Sequence, residues 1–575
     1  MTASVTAQRR AAWGGLLAIC GLTLLLWLYA LATLRLPYQV DMLVHLRWAE
    51  QFLAAVREGW LLPRWAPASI EGLGDPTFFY YQPLFYYLTS GFRLLGLGSQ
   101  AALVAAAMIP SLLLGLVVQR RFLAGYRPAP ALAGALFVVA CPVLLFLAIQ
   151  MAAYPWTLAL PLCLLFVAES TRTGEHERPR APQLALLLAL VCLSHLLSAL
   201  MLLACTGLAR LVLAFPGRRT LASHLHWGAG VVLGLALAAF FVWPAVSQLH
   251  LINPDGWTGG ANFDWRRAFA LPTVSFLQHG FRWFAIQGPL SLLALVLCLF
   301  VLYSSRQAAT PGSAQARKLA IVALVAMLLA SELAYPLYAL LEPMRKIQFP
   351  YRYIFLALLL ANIGLVIELN EGAWRRWNTP LRTLAVLLVA AQCAMSLQLQ
   401  LGIVRGSKAI PEPASFMQGR FGQPEYIPAV RGPDWKAYLA GGKLAGECAR
   451  LQIRCSATSR QTHAQTYVIE SARPVAVRLP LLAFPAWAMT VDGAPRPLVA
   501  DPATGLALAQ LSSGRHTVAL RWDGLPAEAA GRWVSALACL AWLAWIVAAR
   551  RRARAGARAA PAPQDARPEP LMHSG

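Results

Sequence analysis

WGGLLAICGLTLLLWLYALATL, residues 13–34, is the stretch on which the fold turns, because it runs from Trp13 to Leu34 without a charged side chain. A bilayer core about 30 Å thick asks for roughly 20 apolar residues in a helix, and this run supplies them. Arg9 and Arg10 precede it as in a signal peptide. The run is nevertheless longer than the roughly 7 to 15 residue apolar region of such a peptide, and no good small-residue cleavage site follows, so it is expected to be a retained anchor.

The pattern then repeats. Of the 575 residues 58% are hydrophobic and only 13% charged, more apolar than a soluble domain requires. Spans are expected at residues 13–34, 100–119, 130–149, 154–169, 182–195, 197–215, 223–246, 288–304, 319–341, 352–369, 380–399 and 530–549, about 12 crossings. Residues 181–215 are too long for one straight helix and short for two, which predicts two short helices meeting near Ser194 and His195. The net charge of +24 would fit nucleic acid. Its distribution excludes that reading, since the cations fall in short connections between apolar runs. Arg9 and Arg10, Arg120 with Arg121 and Arg127, Arg172, Arg178 and Arg180, Arg218 with Arg219, Arg306, Arg317 and Lys318, Arg375 with Arg376, and the tail from Arg550 can all face the cytoplasm without contradiction. Both termini are then expected on the cytoplasmic side of a multi-pass membrane protein.

That orientation leaves three non-cytoplasmic regions large enough for a site: residues 35–99, 250–288 and 401–528. In the first, Met42, Leu46, Ala49, Leu53, Val56 and Trp60 recur at helical spacing, which predicts an interfacial amphipathic helix. FFYYQPLFYYLTSGF, residues 78–92, is expected as a second helix at the headgroup level. Residues 400–528 change character: PVAVRLPLLAF, WAMTVDG and RHTVALRW read as strands separated by turn-forming VDGAP, DPATG and SSGRH, which predicts a β-sandwich-like domain before the last span, residues 529–549. The remaining 550–575 read as a basic disordered tail. Eight cysteines lie in apolar runs; Cys448 and Cys455 flank a polar stretch, as a disulfide or as two free thiols. No metal-binding spacing is present.

The titratable residues that could do chemistry are few. Asp41 ends the first apolar segment, with His45 one turn on along the same face. It suits either a helix cap, with Val44 where a capping box would have Glu or Gln, or a partly desolvated base for a substrate hydroxyl. Glu71 and Asp75 share the same outer region, where Asp75-Pro76 resembles a cap followed by proline. In EPMRKIQFPYRYIF, Arg345, Lys346 and Arg352 stand where positive charge is disfavoured, so an outer anion such as a phosphate is expected there, with headgroup snorkelling as the alternative. Arg266, Arg267 and Arg282 could join them. Glu332, read inside the span 319–341, is a functional candidate by its cost in lipid. His195 and Tyr154 complete the candidate cavity.

Taken together, DMLVHLRWAEQFLAAVREGWLLPRW, GLGDPTFFYYQPLFYYL, SHLLSALM, IQFPYRYIFL, PEYIPA and FPAWAMTVDG with ATGLALAQLSSGRHTVALRW resemble the GT-C superfamily of polyprenyl-phosphate-sugar-dependent glycosyltransferases. Within it the chain is similar to the bacterial membrane family labelled 6-pyruvoyl-tetrahydropterin-synthase-related, near the YfhO-like proteins. The resemblance implies a GT-C-like transmembrane domain over residues 1–399 and an inverting transfer of a hexosyl or pentosyl group from a polyprenyl-phosphate donor to a periplasmic or envelope acceptor. It also implies an acid in the first outer region as base, which Asp41 matches, and a basic lipid-phosphate site, for which Arg345, Lys346, Arg352 and Arg282 are the candidates. Met42 stands where some relatives carry a second acid, against a metal; no cofactor is required. The clustered histidines that a pterin-synthase zinc site would need are missing. The competing reading is a multi-span transporter or lipid-linked saccharide flippase using Glu332 and His195.

Overall fold

The computed structural model describes residues 2–37, 40–172, 178–213, 218–253, 264–270, 284–412, 424–429 and 435–559. Among them nine helices are long and apolar enough to cross a membrane, and a tenth is the pair Leu221–Leu237 and Ala239–Ser247, bent by 80°. Two shorter apolar helices, Tyr154–Ser170 and Ala181–Ser194, fall where the remaining crossings were expected. This is a polytopic α-helical membrane protein with a β-rich region ahead of its last helix.

The breaks have local causes. His195 is extended, at φ −159° and ψ 102°, between helices Ala181–Ser194 and Leu196–Leu213. Its Nδ1 accepts the Ser198 N–H at 3.2 Å and meets the Ser198 hydroxyl at 2.7 Å. The histidine thereby caps the second helix, and Nδ1 as acceptor leaves the ring proton of the neutral form on Nε2. At the 80° bend, the Phe240 N–H donates to Ser535 Oγ at 2.8 Å, and that hydroxyl donates to the Ala236 carbonyl at 3.0 Å. Such side-chain satisfaction is what lets a bent helix persist in lipid. Close approach of the two backbones requires Gly531, where a Cβ would lie 2.5 Å from the Ala239 oxygen. Elsewhere in the bundle, Asn362 and Gln392 exchange reciprocal amide bonds of 2.7 and 2.9 Å in full burial, the polar glue of membrane helices.

One span departs from its sequence reading. The helix expected over 319–341 runs from Pro311 to Leu329. Thr310 accepts the Ser313 N–H at 3.1 Å with proline next in the chain, so the helix starts early and Arg317 and Lys318 lie within it instead of in a connection. Glu332 consequently falls beyond the helix, in a half-buried 3-10 turn at Glu332–Ala334, and not inside the expected span.

Ten strands are described. β1 (Arg35–Pro37) pairs with β2 (Ser407–Ala409), joining the exit of the first long helix to the exit of helix Thr379–Gly406. β3 (Arg454–Arg460), β4 (Ala464–Ser471), β5 (Val475–Leu482), β6 (Trp487–Val491), β7 (Ala494–Arg496), β8 (Val499–Ala500), β9 (Leu506–Leu511) and β10 (Gly514–Trp522) follow. They form a five-stranded sheet in the order β3-β4-β10-β6-β7 and a three-stranded sheet β5-β9-β8. Every second residue is buried along β4 and the middle of β10, and Tyr467, Ile469, Val518 and Leu520 share a core with Val477, Leu479, Ala507 and Ala509 of the smaller sheet, the arrangement of a sandwich. Cys448 and Cys455 form a disulfide that ties helix Lys443–Leu451 to β3.

The sandwich roofs the segment after the first helix. Trp65, Phe79, Phe484, Trp487 and Trp522 pack with ring centroids 5.5–6.3 Å apart. Beneath it Arg64 and Glu528 form a 3.1 Å ion pair, 1% and 3% exposed. The two helices expected to lie at the membrane surface are therefore mostly covered: on Val40–Arg57, Met42, Leu46, Ala49 and Leu53 of the predicted stripe are buried, and so are Val44, His45, Trp48, Phe52 and Ala55, while Val56 is half-buried and Trp60 lies past the helix. The aromatic stretch is split by Pro83 into helices Thr77–Tyr80 and Leu84–Leu94.

Candidate functional site

Asp41 lies in the first turn of helix Val40–Arg57, which begins one residue before it, so the position is not that of an N-cap. Its carboxylate has no hydrogen bond or ion pair among the described residues. The side chain is solvent-accessible yet crowded, and burial by its surroundings pushes its pKa above the usual carboxylate value while Arg352 pulls it back. An accessible carboxylate that is also desolvated lies in a recess.

The recess is assembled from distant parts of the chain. Tyr81 stands within electrostatic reach of Asp41, Arg352 and Glu425 together, and Tyr86 and Tyr154 also face Asp41. Arg352 enters from the start of helix Tyr353–Asn370, with its guanidinium 4.8 Å from the Phe349 ring centroid and 5.4 Å from that of Trp156. One of its nitrogens, Nη1, donates to the Ile347 carbonyl at 3.3 Å, whereas among the described residues Nε has no partner and no carboxylate lies within ion-pairing distance. Glu425 arrives on the turn Pro424–Tyr426. Burial raises its pKa above the ordinary glutamate value, its own backbone N–H lowers it, and the charge of Asp41 raises it further.

His45 forms the floor. It is fully enclosed by Trp48, Tyr81, Phe85, Tyr86 and Tyr154, with Nδ1 2.8 Å from the Tyr86 hydroxyl. Burial drives its value down to about 3, so it is neutral at physiological pH and contributes no cation. His195 packs on Trp156 with centroids 5.8 Å apart and planes at 13°, one layer below Arg352.

Several residues expected at the site lie elsewhere. Arg345 turns back onto its own chain, donating to the Tyr338 carbonyl at 3.1 Å and to the Ala339 carbonyl, so it caps helix Tyr335–Leu340. Lys346 pairs with Glu342 one turn away, at 3.7 Å. The basic trio read from the sequence thus divides, and Arg352 alone of the three faces Asp41. Arg282 lies outside the described residues; Arg266 is engaged by Asp264 at 2.9 Å. Glu71, at φ +54°, offers its carbonyl to Lys443 of the β-rich region. Glu332 is not part of the recess.

Asp75 is fully buried, with Oδ1 accepting from the Thr77 N–H at 3.0 Å and from its hydroxyl at 2.5 Å, which fastens the turn into Thr77–Tyr80. The Ser69 hydroxyl acts on the carboxyl from nearby but is not aligned as a bond to Oδ2. Burial raises this carboxyl to about 7. The folded state therefore keeps a proton that the unfolded chain releases above pH ~4, so this group's contribution to stability falls as pH rises from there and levels off above pH 7. Asp75→Asn retains the Oδ1 acceptor without the ionisation. Thermal unfolding in detergent should show the variant gaining on the native protein as pH rises from 4 to 8, by up to a few kcal/mol, since each tenfold change in proton affinity is worth about 1.4 kcal/mol.

Sequence reasoning missed Glu425, Tyr81 and Trp48. The only signal for the first was PEYIPA, whose turn chemistry gives no hint of what it faces. Among the described residues no group of three or more His, Cys, Asp or Glu side chains is placed to hold a metal ion.

The sequence model of a family described as the 6-pyruvoyl-tetrahydropterin synthase related domain, a membrane protein, matches residues 78–401. No curated protein matches the chain. Among solved structures, the mycobacterial arabinofuranosyltransferase AftD is similar at 15% identity with a TM-score of 0.40 over 69% of this chain. An arginine-to-serine variant of that enzyme gives 15% and 0.41 over the same share. The chain spans only 27% and 28% of the length of those two.

Proposed function

The chain belongs to the 6-pyruvoyl-tetrahydropterin synthase related family of membrane proteins, and from the geometry of its recess we propose that it is a glycosyltransferase taking its sugar from a polyprenyl-phosphate donor. The observation that carries this reading is Arg352, a cation without a carboxylate partner and with an unpartnered Nε, set across from an accessible carboxylate. A guanidinium left open in this way fits the head of a phosphate.

The acceptor hydroxyl gives its proton to Asp41 as its oxygen attacks the anomeric carbon from the face opposite the donor phosphate. The bond from that carbon to the phosphate oxygen breaks, the electron pair leaves with the polyprenyl phosphate, and Arg352 stabilises the charge that develops there. The anomeric centre inverts. Tyr81, half-buried and backed by Trp48, offers the recess an amphipathic ring that can meet a sugar.

The side of the membrane follows from charge. Arg121, Arg172 and Arg180 surround Glu169 at 3.9, 3.7 and 3.3 Å, and Arg376 meets Glu368 at 3.2 Å. Both clusters lie at the ends of helices whose opposite ends, Tyr154 and Arg352, reach the recess. By the positive-inside rule the recess then faces away from the cytoplasm, where the Cys448–Cys455 disulfide also belongs.

Purified protein should transfer labelled sugar from such a donor to an envelope saccharide or lipid; movement of the intact donor across vesicles without bond cleavage would reassign it to transport. Arg352→Gln should weaken binding of bare polyprenyl phosphate about 10- to 100-fold, as expected for losing hydrogen bonds to a charged group. It should also move the acid limb of kcat/KM to higher pH, because the cation opposing the upward shift of Asp41 is gone. Unchanged lipid-phosphate binding would remove the basis of the proposal.

A further inference from the structure

Beside Asp41 and Arg352, one wall of the recess is built from two segments to which the proton and phosphate steps assign no role. Tyr81 is half-buried, and its hydroxyl has no partner among the described residues. Its ring is backed by Trp48, with centroids 4.7 Å apart, and by Tyr426, at 6.2 Å. Trp48 and Tyr426 in turn meet at 6.0 Å, and both are buried. The backing rings hold Tyr81 in place and leave it as the ring the recess presents.

Glu425 precedes Tyr426 on a turn that is fastened from behind. Ile252 and Pro428 form an isolated antiparallel bridge, the Asn253 N–H donates to the Ile427 carbonyl at 3.2 Å, and the Ala429 N–H donates to the Leu251 carbonyl at 2.9 Å. The half-buried carboxylate of Glu425 is thereby fixed beside Tyr81 and within electrostatic reach of Asp41, with no basic residue paired to it among the described residues. A carboxylate held against a second carboxylate is a poor structural device and a good acceptor for vicinal hydroxyls, whose ring can lay its apolar face on Tyr81.

Charge then selects among sugars. Among the described residues the recess carries two carboxylates and one guanidinium, and a donor phosphate occupies the guanidinium. A sugar acid would add a third carboxylate without a cation to meet it, and like-charge juxtaposition is how sites reject the wrong partner. We propose that Glu425, with the Tyr81 ring beside it, reads the sugar of the donor and restricts it to glycosyl groups without an acidic substituent. This rests on the glycosyltransferase reading above.

The test uses the full-length chain in lipid nanodiscs and three probes: a short-chain polyprenyl phosphate, the same lipid carrying glucose, and the same lipid carrying glucuronate. Binding is followed by intrinsic fluorescence, to which Trp48 contributes from behind Tyr81. The native chain should bind the glucosyl lipid at least about tenfold more tightly than the glucuronyl lipid. Glu425→Gln, which preserves size, should bring that ratio within about threefold while leaving affinity for the bare lipid phosphate as it was. Equal binding of the two sugars by the native chain, or a ratio unmoved by Glu425→Gln, overturns the assignment while the donor class stands. Failure of the bare lipid phosphate to bind the native chain removes the donor class, and the sugar selection with it.

Discussion

Asp41→Asn is expected to lower the rate of glycosyl transfer by about 10²- to 10⁴-fold, the range over which a positioned base contributes. The asparagine has nearly the same volume and can still accept a hydrogen bond, so the substrate's contacts survive while the proton acceptor is lost. Stability should not suffer. Asp41 makes no hydrogen bond or ion pair among the described residues, and its pKa is raised by burial, so ionised Asp41 costs the folded state some free energy that asparagine does not. Unfolding in detergent should be unchanged or slightly improved at neutral pH, with no gain at low pH where the acid is protonated in both states. The same property sets the acid limb of kcat/KM above the ordinary aspartate value of 3.8. Full turnover in the asparagine variant would defeat the role assigned to this residue.

Glu528→Ala should cost about 3–5 kcal/mol of stability, as breaking a buried ion pair from one side does. Two functions are lost at once. Glu528 Oε2 receives the Arg64 Nε–H at 3.1 Å, and Oε1 receives the Leu525 N–H at 3.1 Å at the start of the last helix. Arg64 would keep only the Phe240 carbonyl, at 2.6 Å, with Nη1 already unpartnered in burial. The damage should concentrate where the sandwich, the last helix and the bent pair meet, so limited proteolysis should cut first between the sandwich and that helix. Pairing the change with Arg64→Met should restore much of the loss, since the uncompensated charge is then gone. A loss below about 1 kcal/mol would mean that the aromatic packing around Trp65 and Trp522 holds the roof unaided.

What could be read from the sequence and what could not divides along physical lines. The break at His195 was legible because residues 181–215 have the wrong length for either one or two straight crossings, and a polar Ser-His pair marks where backbone can be freed. The strands between residues 475 and 522 were legible from alternation and turn residues; their order in two sheets was not, since nothing local records which strand meets which. The span ending at Leu329 was misplaced because apolar residues continue through Leu340 past the true end, and they outweighed the Thr310-Pro311 start signal. Arg345, Lys346 and Arg352 look alike along the chain. They are told apart by what they touch, and only the i,i+4 spacing of Glu342 and Lys346 announced one of those contacts. Glu425 could not be placed at all, because its meeting with Asp41 is made by the β1–β2 pair and the Ile252–Pro428 bridge, contacts across hundreds of residues.

The β1–β2 pair also bears on the order in which the recess is assembled. Its two strands are separated by about 370 residues of chain, which at synthesis rates of about 5–20 residues per second takes roughly 20–70 s to produce. Asp41 is therefore made long before Arg352 and Glu425 leave the ribosome. On the proposed function, a nascent or truncated chain would carry its base but none of the groups that hold a donor beside it, and would stay inert until its biogenesis is nearly done.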